Sequence, residues 1–111
     1  MGSEPTEILI DGTKIWRNER GEIHREDGPA VIYPNGKQCW YINGKFHRED
    51  GPAFISYGGT SVHYEYWFNN KHISEHIRKW AKERQVDLRN LTVEDKMLLK
   101  FEIIMEGNRH G

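Results

Sequence analysis

The heptapeptide His-Arg-Glu-Asp-Gly-Pro-Ala stands twice, unchanged, in this 111-residue chain, at residues 24–30 and 47–53. The copies begin 23 residues apart. Recurrence at a fixed period marks a repeat architecture, in which one unit cannot bury its own apolar face and must stack on a neighbour. The register runs further than the heptapeptide. Gly12, Gly36 and Gly59 recur about one period apart, and Trp16 and Trp40 stand four residues beyond the first two. Gly21 and Gly44 each precede the heptapeptide histidine by three residues. Each unit therefore reads as turn, strand ending near Trp, second turn, corner, second strand.

The pieces suit short antiparallel strands. Gln38, Cys39, Trp40, Tyr41 and Ile42 form an aromatic and β-branched run between Asn35-Gly36 and Asn43-Gly44, and Asn-Gly supplies the positive φ angles of tight hairpins. Pro52 suits the first residue of a strand, having no amide hydrogen. Residues 53–57 then read as that strand, Phe54 and Ser56 on one face and Ala53, Ile55 and Tyr57 on the other. Asp50-Gly51 and Asp27-Gly28 read as turns before Pro52 and Pro29, with Gly28 and Gly51 expected at positive φ.

A third unit begins at Gly59 and decays. Residues 60–68 are rich in aromatics, but Ile73-Ser74 stands where the heptapeptide would come. The apolar period then changes from two to about 3.6. Ser74 is expected to cap a helix over 75–85 with Ile77, Trp80, Ala81 and Arg84 on one face. Thr92 and Asp95 form a capping pattern that opens a second helix over 93–105, with Met97, Leu98, Phe101, Ile104 and Met105 as its apolar stripe. Repeat arrays need ends closed by something other than another repeat, and these helices read as that cap. The expected fold is mainly β with C-terminal α: hairpin repeats in a meander capped by two helices. It forms a single domain, 1–111, with repeats over 7–73 and the cap over 74–106.

Net charge is −1, which argues against general nucleic-acid binding, since that needs a basic field to displace counterions. A single cysteine, Cys39, excludes an intramolecular disulfide and suits a reducing compartment; its position favours a small buried residue over a reactive thiol. No apolar run reaches membrane-spanning length, so a cytoplasmic protein is expected. Met1-Gly2-Ser3 reads equally as a native start or a cloning remnant.

The corners hold every residue type a general acid–base site wants. Duplication argues otherwise, because catalysis needs different groups in complementary roles whereas repeats must all turn the same corner. His24, Arg25, Asp27, Gly28, Pro29, His47, Arg48, Asp50, Gly51 and Pro52 are therefore read as structural, the arginines paired with nearby carboxylates. The six histidines, His24, His47, His63, His72, His76 and His110, lack the Cys pairs and spacing of zinc sites, so no metal and no cofactor is expected. Ser56 and Ser61 lack a nucleophile-elbow setting, and the glycines are not clustered as in phosphate-binding loops. The segment from His76 to Arg84 is locally basic and reads either as a solvated helix face or as a contact for an acidic partner.

Residues 40–47, then Gly51-Pro52-Ala53 and the strand to Tyr57, resemble the MORN repeat, a β-hairpin unit of about this period. The insertion of Arg48-Glu49-Asp50 after the histidine is similar to a MORN-like variant recurrent in tailed-bacteriophage proteins. In that variant a Ser- or Thr-capped helix follows a Trp-x-x-Asn-Gly-Lys motif. Here residues 67–74 match, with Asn70 in the Asn slot and Lys71 where the Gly would stand. The resemblance spans about residues 12–74 and implies an interaction scaffold.

These observations lead to a non-enzymatic, phage-type protein-binding module that inhibits a host defence or toxin protein, in an anti-CRISPR-like or antitoxin-like role. The exposed sheet face and the basic helix nominate Tyr66, Trp67, Arg78, Lys79 and Lys82 as partner contacts, with Trp80 turned inward. A homo-oligomer is left open. The rival reading is a binder of a nucleotide or small anion that uses Trp40, Tyr41, Tyr64 and Trp67 with Arg25 and Arg48.

Overall fold

Short strands dominate because each is interrupted by a repeat bend. Among the described residues, 4–109, ten strands precede two helices in this computed structural model; Met1-Gly2-Ser3 and His110 lie outside the described residues. The strands are β1 (Glu7–Ile8), β2 (Lys14–Ile15), β3 (Val31–Ile32), β4 (Gln38–Cys39) and β5 (Tyr41–Ile42). They continue with β6 (Lys45–Phe46), β7 (Phe54–Gly58), β8 (Ser61–Glu65), β9 (Trp67–Phe68) and β10 (Lys71–His72). The helices are α1 (Ser74–Arg84) and α2 (Val93–Gly107). An antiparallel six-stranded sheet runs in the order β1-β2-β3-β4-β7-β8, and β5-β6 and β9-β10 are separate hairpins. The fold is the β meander with a helical cap that the repeat pattern implies.

The bend residue explains the division. Trp40 donates its N–H to Ala53 O in the main sheet (2.8 Å), and its carbonyl accepts from His47 N in the hairpin beyond (3.1 Å). Trp16 does the same with Ala30 O and His24 N, each at 2.9 Å. Each unit thus serves two ladders. The second is a column of hairpins joined by Arg25 N to Tyr41 O and Arg48 N to Trp67 O. Along it Tyr41, Phe46, Trp67 and His72 form a continuous ring stack, with successive centroids 4.5–5.1 Å apart.

Equivalent bonds place Tyr66, not Trp67, in the bend slot of the third unit, because Ile73 N donates to Tyr66 O (2.9 Å). The register implied by the resemblance therefore shifts by one. Asn69 takes the slot of Asn43, and Asn70 takes that of Gly44; Asn69 and Asn70 have φ of 47° and 69° against 50° and 80° in the second unit. Asparagine tolerates the left-handed region, so the turn survives without its glycine.

Ser74 also departs from expectation. Ile73 is the N-cap, with no side-chain cap bond. Ser74 is fully buried, and its Oγ accepts the Tyr66 N–H at 2.7 Å. In the earlier units that amide meets the carbonyl of Ala30 or Ala53. With no further repeat to supply a carbonyl, a hydroxyl fills the place. The array ends on this bond, and an otherwise orphaned buried amide is satisfied.

The principal core lies between the third unit and the helices: Tyr66, Phe68, Ile73, Ile77, Trp80, Ala81, Leu99 and Ile103. Ile77, Trp80 and Ala81 face inward as expected, but Arg84 is exposed, its guanidinium 5.8 Å from the Trp80 ring centroid. The Thr92–Asp95 capping box is present in both directions. The α2 stripe is corrected: Leu99 and Ile103 are the fully buried pair, while Met97, Phe101 and Met105 are 60–68 % exposed. Leu98 is also exposed, and Ile104 packs only at the edge of the core. A narrow i, i+4 seam suffices because α2 meets the rest on one side; at its end a Cβ on Gly107 would collide with the Phe68 ring.

Candidate functional site

Each corner is a closed set of internal bonds. His24 Nδ1 accepts the Asn43 N–H at 2.9 Å, and His47 Nδ1 accepts the Asn69 N–H at 3.1 Å. A backbone amide only donates, so Nδ1 carries no proton and the proton sits on Nε2. That Nε2 faces Glu26 at 3.4 Å in one unit and Glu49 at 3.3 Å in the other. Each histidine therefore latches its unit to the following hairpin. The His47 ring also packs on Phe68, with centroids 4.4 Å apart.

The arginines complete the corner. Arg25 donates through Nε to Asp27 (2.9 Å) and through Nη1 to Pro29 O (3.1 Å). Arg48 does the same with Asp50 (2.8 Å) and Pro52 O (2.9 Å). Their guanidinium carbons lie 4.0 Å and 4.1 Å from the ring centroids of Trp16 and Trp40, in cation–π geometry. Gly28 and Gly51 are not at positive φ. What favours glycine is crowding: a Cβ at either site would lie 3.0 Å from the guanidinium carbon. The hydrogen bond from Arg25 holds the Asp27 carboxyl below the usual range. Burial alone would raise Asp50, but the bond and charge of Arg48 outweigh it and lower it as well.

A depressed folded-state pKa contributes stability above the ordinary carboxylate value, and that contribution disappears as pH falls through the folded value. The double variant Asp27→Asn, Asp50→Asn should therefore melt below the parent at pH 6. The gap should begin to narrow below about pH 4, the ordinary carboxylate value, and close as pH falls through the lower folded values. Equal melting temperatures at pH 6, or a gap that persists into acid, would refute the Arg–Asp account.

Between the two corners runs an open groove of about 660 Å³, walled by Arg25, Asp27, Arg48 and Asp50, with Trp40 also lining it and Lys100 reaching it from α2. Of the four aromatics proposed for anion binding, Trp40 alone lines it, and Arg48 already covers that ring. Tyr41 and Trp67 belong to the hairpin stack, flanking Phe46. Tyr64 lines a smaller hollow with Tyr66 and Arg78.

The nominated partner residues divide. Tyr66 is 3 % exposed, because in the third unit the helices cover it in the core with Ile73, Ile77 and Trp80, and burial raises its hydroxyl pKa to about 12; it is not a surface contact. Trp67 is half-buried, its Nε1–H donating to Glu65 at 2.9 Å. Arg78 is exposed and donates to Tyr64 O (3.2 Å). Lys79 and Lys82 are exposed on the outer side of α1.

The remaining described histidines have local partners. His63 meets Glu65 (2.8 Å), and His72 meets Ser74 Oγ (2.7 Å). His76 bridges the helices, with Nε2 on Glu102 (2.5 Å) and Nδ1 near Glu106 (3.5 Å). Cys39 is buried in β4, which raises its thiol pKa. Among the described residues no helix is long and apolar enough to cross a membrane. Sequence reasoning missed two exposed apolar surfaces, the outer row of α2 and the Ile8, Leu9, Ile10 tip at the end of β1. The α2 row was visible as a stripe but assigned to the wrong side. Comparison with known proteins finds no matching family model, no matching curated protein and no matching solved structure.

Proposed function

We propose that this chain is a non-enzymatic protein-binding module of the phage type, acting on a host defence or toxin protein in the manner of an anti-CRISPR or antitoxin. The observation that carries the reading is the commitment of the corner side chains. Both ring nitrogens of His24 and His47 face internal partners, and Arg25 and Arg48 each hold a carboxylate, a carbonyl and an indole face. Groups with acid–base potential are used to join repeats, which suits a scaffold. The resemblance of the repeats to phage MORN-like units supports the same class. On the cap, Arg78, Lys79 and Lys82 offer an acidic partner a cationic surface, and Trp67 of the hairpin stack is the aromatic anchor of the reading, since interface energy concentrates in aromatic and arginine residues.

Affinity capture from bacterial lysate tests this. A single stoichiometric protein should be retained by the parent chain and lost by the Lys79→Glu, Lys82→Glu variant, with the melting temperature unchanged. The loss should be larger at low salt, where surface charges are less screened. A co-purifying nucleotide in place of a protein would overturn the reading in favour of an anion bound in the corner groove, where Lys100 joins Arg25 and Arg48.

A further inference from the structure

The outer face of α2 is the largest feature the corners and α1 leave unexplained. Val93, Met97, Phe101 and Met105 are 78, 65, 68 and 60 % exposed, with Leu98 beside them at 38 %. At i, i+4 spacing they form one continuous row. We infer that this face is the seat of a second copy of the chain, two α2 helices packing antiparallel about Phe101.

Four observations favour a second copy over an unrelated occupant. The centre of the row, Met97, Phe101 and Met105, reads the same in either direction, so a two-fold axis at Phe101 sets Phe on Phe and Met97 on Met105 of the other copy, with Val93 at the edge level with Arg109. Such self-complementarity is what an isologous interface requires, and Met–aromatic contacts are favourable. The ends are complementary as well. Exposed Glu94 lies in the first turn, and Arg109, whose side chain is 62 % exposed and ion-paired through Nε with Glu106 of its own helix at 2.7 Å, follows the last. An antiparallel pair brings each Glu94 towards the other copy's Arg109 and opposes the helix dipoles.

Size and charge agree. The five side chains expose on the order of 550 Å², most of the ~800 Å² that each partner contributes to a standard interface. Exposed Lys96 and Lys100 leave the rim polar. A net charge of −1 imposes little repulsion between copies. This surface is separate from the cationic face of α1, so pairing leaves Lys79 and Lys82 free for another protein.

Sedimentation velocity on the full chain over a concentration series tests the pairing. A reversible monomer–dimer equilibrium is expected, with Phe101→Glu weakening it by at least about tenfold. Because Phe101 is exposed in one chain, that variant should keep the parent's melting temperature in dilute solution. Orientation is read by cross-linking, since Cys39 is buried. Phe101→Cys should oxidise to a covalent dimer, and a mixture of Met97→Cys and Met105→Cys should give more dimer than either alone. A monomer at every concentration, or a dimer untouched by Phe101→Glu, overturns the inference. More dimer from Met97→Cys alone than from the mixture overturns the antiparallel arrangement.

Discussion

Leu99→Ala is expected to lower the unfolding free energy by about 3 kcal/mol, whereas Phe101→Ala, two residues along the same helix, should change it by less than about 0.5 kcal/mol in dilute solution. Leu99 is completely buried, and Phe101 is 68 % exposed. Truncating a buried leucine loses its transfer free energy and leaves a cavity that neighbours refill only partly. An exposed phenylalanine has little of either to lose. Chemical denaturation of both variants at low protein concentration decides the matter. Equal losses, or a larger loss for Phe101, would mean that α2 docks on the face opposite to the one described.

His47→Ala should cost about 2–3 kcal/mol, from packing lost against Phe68 and an Asn69 amide left without its acceptor. His24→Ala removes the same latch but from a more open setting, its side chain being 18 % exposed against 9 % for His47, so its cost should be smaller. Any binding activity should track the folded fraction in both variants. A fully stable His47→Ala protein that has lost binding would instead make the histidine part of a functional site.

The sequence, read alone, determined the strand repeats, the hairpin turn at Asn43-Gly44, the pairing of each corner arginine with a nearby carboxylate, and the capping box at Thr92; the structure chose Asp27 and Asp50 as those carboxylates. These are local. A fixed period, a φ requirement or a three-residue capping pattern depends on few neighbours in the chain. Tertiary structure decided the rest. Nothing in the sequence around Ser74 distinguishes a helix cap from a hydroxyl standing in for the next repeat's carbonyl, because the amide it serves belongs to Tyr66, eight residues earlier. Tyr66 passed for a surface aromatic because the bend register slips by one in the third unit, and only the Ile73–Tyr66 bond reveals the slip. The α2 sequence carries apolar residues over most of its circumference, so periodicity could not choose between the Leu99–Ile103 seam and the Met97–Phe101–Met105 row. The choice was made by Phe68, Ile77 and Trp80, which offer one surface for α2 to cover. The row left outside is where the structure points to a second chain.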